Sequence, residues 1–198
     1  MNQMLFRFYG QQLSAWILFT PLVASIFGLP LLFIGAEAAA YFILSISITA
    51  LCAVYLDQRE SQLVMTSLFP ISRKTFFFVD LSFLGRYTLY YIIYTIVATT
   101  AIQTLLEKQL VFPSVRQLFV SFGISFFIIA FFLLFRRSKF GRFMNFFVFL
   151  IPLGFSQLLF FFGNLSTFQS FILFASLLVF FIIAASITFF RDKRRDII

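Results

Sequence analysis

The sequence predicts an all-α, polytopic membrane protein, and three properties of the chain support this fold class. Of its 198 residues, 62% are hydrophobic and only 11% are charged, whereas soluble domains carry about 25% charged residues. The mean hydropathy is +1.02, so a soluble chain of this composition would lack polar groups to cover its surface. The apolar residues also occur in six long stretches, each about as long as a membrane-spanning helix.

These stretches define six predicted spans within a single transmembrane domain that covers residues 1–198. Each has about 20 residues or more, and a helix of that length, rising ~1.5 Å per residue, crosses a hydrocarbon core of ~30 Å. Helices are expected rather than a barrel, because the stretches are apolar on every face and lack the alternation of barrel strands. The predicted spans are residues 14–34, 36–56, 81–106, 115–135, 143–162 and 168–190.

The first stretch is expected to remain in the protein as a span. It is longer than the apolar region of a cleaved signal, about 7–15 residues, and no compelling small-residue cleavage site follows it. A short segment around Phe6 and Arg7 precedes it, and this segment either lies flat on the membrane or extends the span.

The positions of the basic residues predict the orientation. With the N-terminus inside, twelve Lys and Arg residues lie in the cytoplasmic segments, and only Lys108 and Arg116 lie on the opposite side. Short cytoplasmic loops carry an excess of Lys and Arg, so both termini are expected in the cytoplasm of a bacterial cell, with the chain in its inner membrane. The cytoplasmic segments would be residues 1–13, 57–75, 136–142 and 191–198.

The same distribution explains the net charge of +8. A basic protein can bind nucleic acid, but here the charge sits in short loops beside predicted spans. Membrane topology and anionic headgroups account for such a pattern. Membrane lipids are therefore expected partners, and nucleic acid is not.

The residue types that carry out catalysis are scarce. The chain has no histidine, which excludes His-based metal sites and His-activated nucleophiles. Its seven acidic residues do not cluster as a two-metal site requires, and no glycine is followed by lysine, so the phosphate-binding loop of ATPases is absent. Cys52, the single cysteine, lies in the second predicted span and is expected to be a packing residue. We predict no catalytic residue, no metal site and no cofactor bound by this chain.

The segment between the second and third spans, residues 57–74, is the most unusual part of the chain. Residues 58–69 fit a short helix, polar in its first half, with Val64 and Leu68 one turn apart. Pro70 is expected to end it, because proline lacks a backbone donor and disfavours the α conformation before it. Ser72 can then cap the next helix. A stiff helix here suits the transfer of force from a soluble motor, although an ordinary amphipathic connector has the same pattern.

This segment resembles the permease subunits of ABC transporters of the export-type "type two" family. In that family an acidic residue opens a cytoplasmic coupling helix and a Leu-Pro-[Val/Ile]-[Ser/Thr]-[Arg/Lys] turn closes it. Glu60 matches the acid and residues 69–73 match the turn, with Phe69 replacing leucine. The glycine often found after the acid is missing, and Asp80 stands where many members have a basic residue. The residues predicted to form the ATPase-docking surface are Arg59, Glu60, Leu63, Leu68, Pro70, Ile71, Ser72 and Arg73.

The resemblance also implies partners and a function. Members pair two six-span halves around a central path, so a second half, either a copy of this chain or a different subunit, is expected. This chain carries no ATPase domain, so a separate ABC ATPase subunit would bind ATP-Mg. The expected function is the permease subunit of an exporter for a hydrophobic or amphipathic cargo: a peptide, a drug or a lipid. The alternative is a non-transporting immunity or sensor protein against antimicrobial peptides.

Arg86 is the charged residue predicted to lie within a span. A charge at the bilayer centre costs between ~2.5 and more than 10 kcal/mol, so such residues are usually paired or functional. Two roles are open for Arg86. It extends to the inner headgroups, or it lines the translocation path.

Overall fold

The computed structural model describes residues 16–33, 35–66, 73–108, 112–135, 154 and 165–194. These residues form five α-helices and one 3-10 helix, and no strand occurs among them. The all-α prediction is confirmed for this part of the chain. In order, the elements are α1 (Trp16–Gly28), the 3-10 helix (Leu29–Phe33), α2 (Ala36–Thr66), α3 (Arg73–Glu107), α4 (Val115–Phe135) and α5 (Thr167–Arg194).

Four of these helices are long and apolar enough to cross a membrane. They correspond to the second, third, fourth and sixth predicted spans. The described part of the chain therefore has the composition and the helix lengths of a helical membrane protein. The candidate spans are Glu37–Tyr55 in α2, Phe77–Glu107 in α3, Val115–Leu134 in α4 and Thr167–Arg191 in α5.

The first predicted span, residues 14–34, is not one continuous α-helix. α1 ends at Gly28 and a 3-10 helix follows from Leu29 to Phe33, so the α-helix does not continue through the last part of this predicted span. Pro30 explains the change, because its ring removes a backbone donor and clashes with the carbonyl of the preceding turn of an α-helix. The fifth predicted span, residues 143–162, lies outside the described residues except for Gly154.

α2 is the central helix of the bundle, and α1, α3 and α4 all pack against it. Its apolar part is buried on most sides, beginning with Ala38, Ala39 and Ala40. Small residues let helix backbones approach closely, which is how helices associate in membranes. On α1, a Cβ added to Gly28 would lie 2.5 Å from Cγ1 of Ile43 on α2. Glycine at this position therefore permits the close contact of α1 with α2.

α4 and α5 pack along most of their lengths through phenylalanine rings. The rings of Phe119 and Phe174, for example, have centroids 5.7 Å apart. A Cβ added to Gly123 on α4 would lie 3.2 Å from Cδ1 of Leu177 on α5. Aromatic pairs contribute about 0.5–1.5 kcal/mol beyond the burial of their surface, so these rings hold the two helices together.

α3 and α5 also turn apolar surface outward from the bundle. Leu89 and Ile93 on α3 and Ile182 on α5 are each about half exposed. Contiguous apolar surface of this kind is unfavourable in water but suits contact with acyl chains or with another membrane subunit. The bundle therefore buries α2 and presents α3 and α5 to its surroundings.

Candidate functional site

The sequence predicted a separate coupling helix over residues 58–69. In the structure no break separates the start of this segment from the helix of the second span. α2 runs without interruption for 31 residues from Ala36 to Thr66. Residues 56–66, which we call the α2 extension, prolong the span helix by about 16 Å. The reason is local, because residues 57–66 contain neither Gly nor Pro and are rich in good helix formers. The helix therefore continues where the polar sequence begins.

The predicted docking residues divide between described and undescribed parts of the chain. Arg59, Glu60 and Leu63 lie in the α2 extension, and Arg73 is the first residue of α3. The structure thus places these four positions at one end of the bundle, where α2 ends and α3 begins. The other predicted positions fall within residues 67–72, outside the described residues: Leu68, Pro70, Ile71 and Ser72.

A buried polar contact joins α2 to α3 at the base of the α2 extension. The hydroxyl of Tyr55 on α2 donates a hydrogen bond to Oδ1 of Asp80 on α3. Both side chains are 1% exposed. A buried carboxylate must be hydrogen-bonded to be tolerated in an apolar interior. Tyr55 and Asp80 therefore form a specific connection between the two helices.

Aromatic rings enclose this connection and link it to α4. The ring of Tyr55 stacks on Phe83 of α3 at 5.8 Å between centroids and meets the edge of Phe132 of α4 at 6.4 Å. All three rings are almost fully buried. Since packed interiors transmit displacement rather than absorb it, movement of the α2 extension would be felt by both α3 and α4.

At the same end of the bundle, side chains of α5 donate hydrogen bonds to the last carbonyl groups of α4. The last carbonyls of a helix lack partners within that helix. Nη1 of Arg191 lies 3.3 Å from the carbonyl of Leu134, and the hydroxyl of Thr188 lies 3.2 Å from the carbonyl of Leu133. A cation at the C-terminal end of a helix also interacts favourably with the helix dipole. Arg191 therefore fixes the end of α5 against α4.

The opposite end of the bundle is held by an ion pair that the sequence reasoning missed. Nη2 of Arg116, in the first turn of α4, lies 2.6 Å from Oε2 of Glu37, in the first turn of α2. Nη1 of Arg116 also donates to the carbonyl of Leu165, just before α5, at 3.4 Å. Ser114 caps α4, since its hydroxyl accepts a hydrogen bond from the backbone of Gln117 at 3.1 Å. This cluster ties the starts of three helices together.

A signal for this pair was present in the sequence. Alternating helix directions place the start of the second span and the start of the fourth on the same side of the membrane. Glu37 and Arg116 lie at those two positions and carry opposite charges. The predicted topology and the opposite charges together would have predicted an ion pair between Glu37 and Arg116.

Arg86 lies on α3 with its side chain exposed at the outer surface of the bundle. It does not face the core formed by α2 and α4. Its predicted place on a translocation path stays a prediction.

Buried hydroxyl groups fall into two classes. Several donate to the carbonyl four residues earlier on their own helix, as Ser47 does to Ile43 at 2.7 Å, a common arrangement for serine in membrane helices. Four fully buried hydroxyls in the described part of the chain have no hydrogen-bond partner. They belong to Ser45 and Thr49 on α2 and to Thr88 and Thr95 on α3.

Among the residues that the structure describes, no three Cys, Asp or Glu side chains lie close enough to hold a metal ion. No protein-family model, curated protein or solved structure matches the chain.

Proposed function

We propose that this chain is the permease subunit of an ATP-driven ABC exporter in the bacterial cell membrane. With a second six-span half, it forms the path for a hydrophobic or amphipathic cargo: a peptide, a drug or a lipid. A separate ATPase subunit binds ATP-Mg and hydrolyses it. The chain itself is a transport subunit and performs no catalysis.

The observation that carries this proposal is the unbroken helix of α2. A motor needs a stiff element that reaches out of the membrane and is joined without slack to the spans. α2 is suited to this role, because one continuous helix contains both the buried segment Glu37–Tyr55 and the α2 extension with Arg59 and Glu60. Force applied to the α2 extension therefore acts directly on the centre of the bundle.

The contacts at the base of the α2 extension support the same mechanism. Tyr55 joins α2 to Asp80 on α3, and its ring packs against Phe132 on α4. A push on the α2 extension would move these helices as one unit. Two arrangements of such a unit, biased by the nucleotide state of the motor, suffice for alternating access.

The orientation and the number of spans belong to the proposal. With both termini in the cytoplasm, the α2 extension lies on the cytoplasmic side, where a soluble ATPase is found. The six spans comprise the four candidates, the region of α1 with the 3-10 helix, and residues 143–162. The excess of Lys and Arg in the segments assigned to the cytoplasm supports this orientation.

The test is co-purification with the ATPase and a second permease half. The double variant Glu60→Ala/Arg73→Ala removes opposite charges from the docking surface and should abolish co-purification and cargo-stimulated ATP hydrolysis. Glu107→Ala/Lys108→Ala is the matched control, because it removes an exposed acid and base from the other end of α3. This control should leave assembly unchanged.

Two results would contradict the proposal at different levels. If Glu60→Ala/Arg73→Ala still assembles and couples, the docking surface lies elsewhere on the chain. If the wild-type chain is isolated with no ATPase, the transporter function is wrong. The alternative of a non-transporting immunity or sensor protein would then be favoured.

A further inference from the structure

α3 and α5 meet where both helices change from charged to apolar sequence. α5 carries no charge from residue 167 to residue 190, and charged residues follow directly. α3 shows the reverse order, since its charged start at Lys74 gives way to phenylalanines. The ring of Phe189 on α5 contacts Phe77 and Phe78 on α3, with centroids 5.5 and 6.1 Å apart. These contacts bring the two boundaries to the same level.

This level corresponds to the surface of the apolar layer of a membrane. The uncharged part of α5 is about 36 Å long as a helix, which is enough to cross a hydrocarbon core of ~30 Å. The charged residues that follow it therefore lie among lipid headgroups. Because the phenylalanine rings align the two helices, Lys74 at the start of α3 lies at that level too.

Three cationic residues lie one helical turn beyond these rings. Residues four apart share a face of a helix, and each cationic residue is four residues from a phenylalanine of the contact region. Lys74, whose side chain is described, is exposed. We call the three cationic residues the basic cluster. The pairs are Lys74 with Phe78, Lys193 with Phe189, and Arg194 with Phe190.

The acidic residues nearest in sequence lie on other faces of the two helices. The first turn of α3 contains no acidic residue, and Asp80, which accepts a hydrogen bond from α2, is about 120° around the axis from Lys74. Asp192 on α5 follows Thr188 by four residues, and Thr188 is buried and donates to a carbonyl of α4. The position of Asp192 is therefore on the α4 side of α5, away from the basic cluster.

The arrangement favours a ligand that is both anionic and apolar. Lys74 and Lys193 lie on the faces of α3 and α5 that meet through the rings, and like charges placed together repel each other. An anion bound between them would replace this repulsion by attraction. The rings beside the cluster are open as well, since Phe78 and Phe190 are 58% and 61% exposed. An acidic protein surface would satisfy the charges but would not suit the exposed rings.

We propose that Lys74, Lys193 and Arg194 form a binding site for an anionic phospholipid of the adjacent leaflet. The phosphate pairs with the basic cluster, and the acyl chains lie against Phe78 and Phe190. A zwitterionic headgroup binds less well, because its own ammonium competes for the phosphate. The site needs neither the ATPase nor the cargo, so it is independent of the proposed transport function.

Lipid titration of the full-length chain tests the proposal. The protein is purified in a mild detergent and titrated with phosphatidylglycerol or phosphatidylcholine, and bound lipids are counted by native mass spectrometry. The wild type should bind phosphatidylglycerol about tenfold more tightly than phosphatidylcholine. Lys74→Gln, Lys193→Gln and Arg194→Gln should each weaken phosphatidylglycerol binding about fivefold and leave phosphatidylcholine binding unchanged. Lys74→Arg keeps the charge and should bind both lipids as the wild type does.

A matched control makes the test specific. Lys108→Gln removes the same charge from an exposed position just after the other end of α3 and should leave phosphatidylglycerol binding unchanged. The proposal is overturned if the three variants of the basic cluster bind phosphatidylglycerol as the wild type does. It is overturned equally if Lys108→Gln weakens binding as much as Lys74→Gln, because the effect would then be one of net charge. Unchanged lipid binding together with lost ATPase co-purification in Lys74→Gln would show that the basic cluster docks a protein instead.

Discussion

Tyr55 on α2 and Asp80 on α3 share a hydrogen bond in the interior of the bundle, and Tyr55 lies two residues before Asp57, the first charged residue of the α2 extension. Phe83 and Phe132 pack around the tyrosine ring. The apolar part of α2 up to Tyr55 is mostly buried, and its sequence is polar from Asp57 to Gln62. The pair therefore connects the part of the protein proposed to receive force with the part proposed to move.

Removal of the Tyr55 hydroxyl should destabilise the protein. Tyr55→Phe keeps the ring contacts but deprives a buried carboxylate of a donor, which is expected to lower the free energy of unfolding by about 1–3 kcal/mol. Thermal unfolding of the purified protein in detergent measures this change. Tyr90→Phe is the control, since Tyr90 is 39% exposed and its loss should change stability by no more than about 0.5 kcal/mol. Equal stability of the two variants would contradict a structural role for the Tyr55–Asp80 bond.

The ion pair between Glu37 and Arg116 should contribute only modestly to the stability of the folded protein. Both side chains are about a third exposed, at 34% and 30%, so solvent screening limits the pair to about 1 kcal/mol or less. Glu37→Gln and Arg116→Gln should each destabilise slightly, and the charge-swapped Glu37→Arg/Arg116→Glu should recover part of the loss. A double-mutant cycle at low and at high salt measures the coupling. Coupling that is absent at low salt would show that the two charges do not interact.

Glycines at helix contacts should be intolerant of substitution. Gly28→Ala places a Cβ within 2.5 Å of Ile43, whose β-branched side chain adjusts poorly, so a loss of about 1–3 kcal/mol is expected. Gly85→Ala meets no neighbour within 4 Å and should stabilise α3 by up to about 1 kcal/mol through helix propensity. Unfolding midpoints of the two variants give the comparison. A neutral Gly28→Ala would mean that α1 does not pack against α2 at this point.

Replacing a buried threonine with valine should change stability in opposite directions at two sites, one where the hydroxyl lacks a hydrogen-bond partner and one where it has partners. Thr49→Val replaces a hydroxyl that has no partner and should stabilise the protein by about 1 kcal/mol. Thr188→Val removes a hydroxyl that lies 2.8 Å from the carbonyl of Ala184 and 3.2 Å from that of Leu133, and should destabilise by a similar amount. The sign of each shift in unfolding temperature decides the result. Loss of stability in Thr49→Val would indicate that its hydroxyl is bonded in the membrane.

Some of the fold could be predicted from the sequence because it depends on local composition. The spans in α2, α3, α4 and α5 are long apolar segments. Whether such a segment is more stable in lipid than in water depends only on its own residues, so each span could be predicted from its local sequence. The first span was predicted less well, since a 3-10 helix containing Pro30 follows α1 and shortens the α-helical run. The α2 extension was predicted to be helical, but its continuity with the span was not. The change from apolar to polar residues after residue 56 suggested that a new helix begins there. The α-helix continues instead, because residues 57–66 contain no Gly or Pro to interrupt it.

The amino-acid sequence by itself determined that this chain belongs in a membrane, because apolar composition and run length alone fix how each segment partitions between water and lipid. Tertiary structure decided which side chains meet. Glu37 finds Arg116, and Tyr55 finds Asp80, only after separate helices have packed. Arg86 was visible as a charge in the sequence, but the packing of α3 decided that it lies on an outward face. The physical reason is that a helix forms through interactions between residues close in the chain. Contacts between helices depend instead on how each helix is rotated about its axis and shifted along it, which the packing of the whole bundle sets.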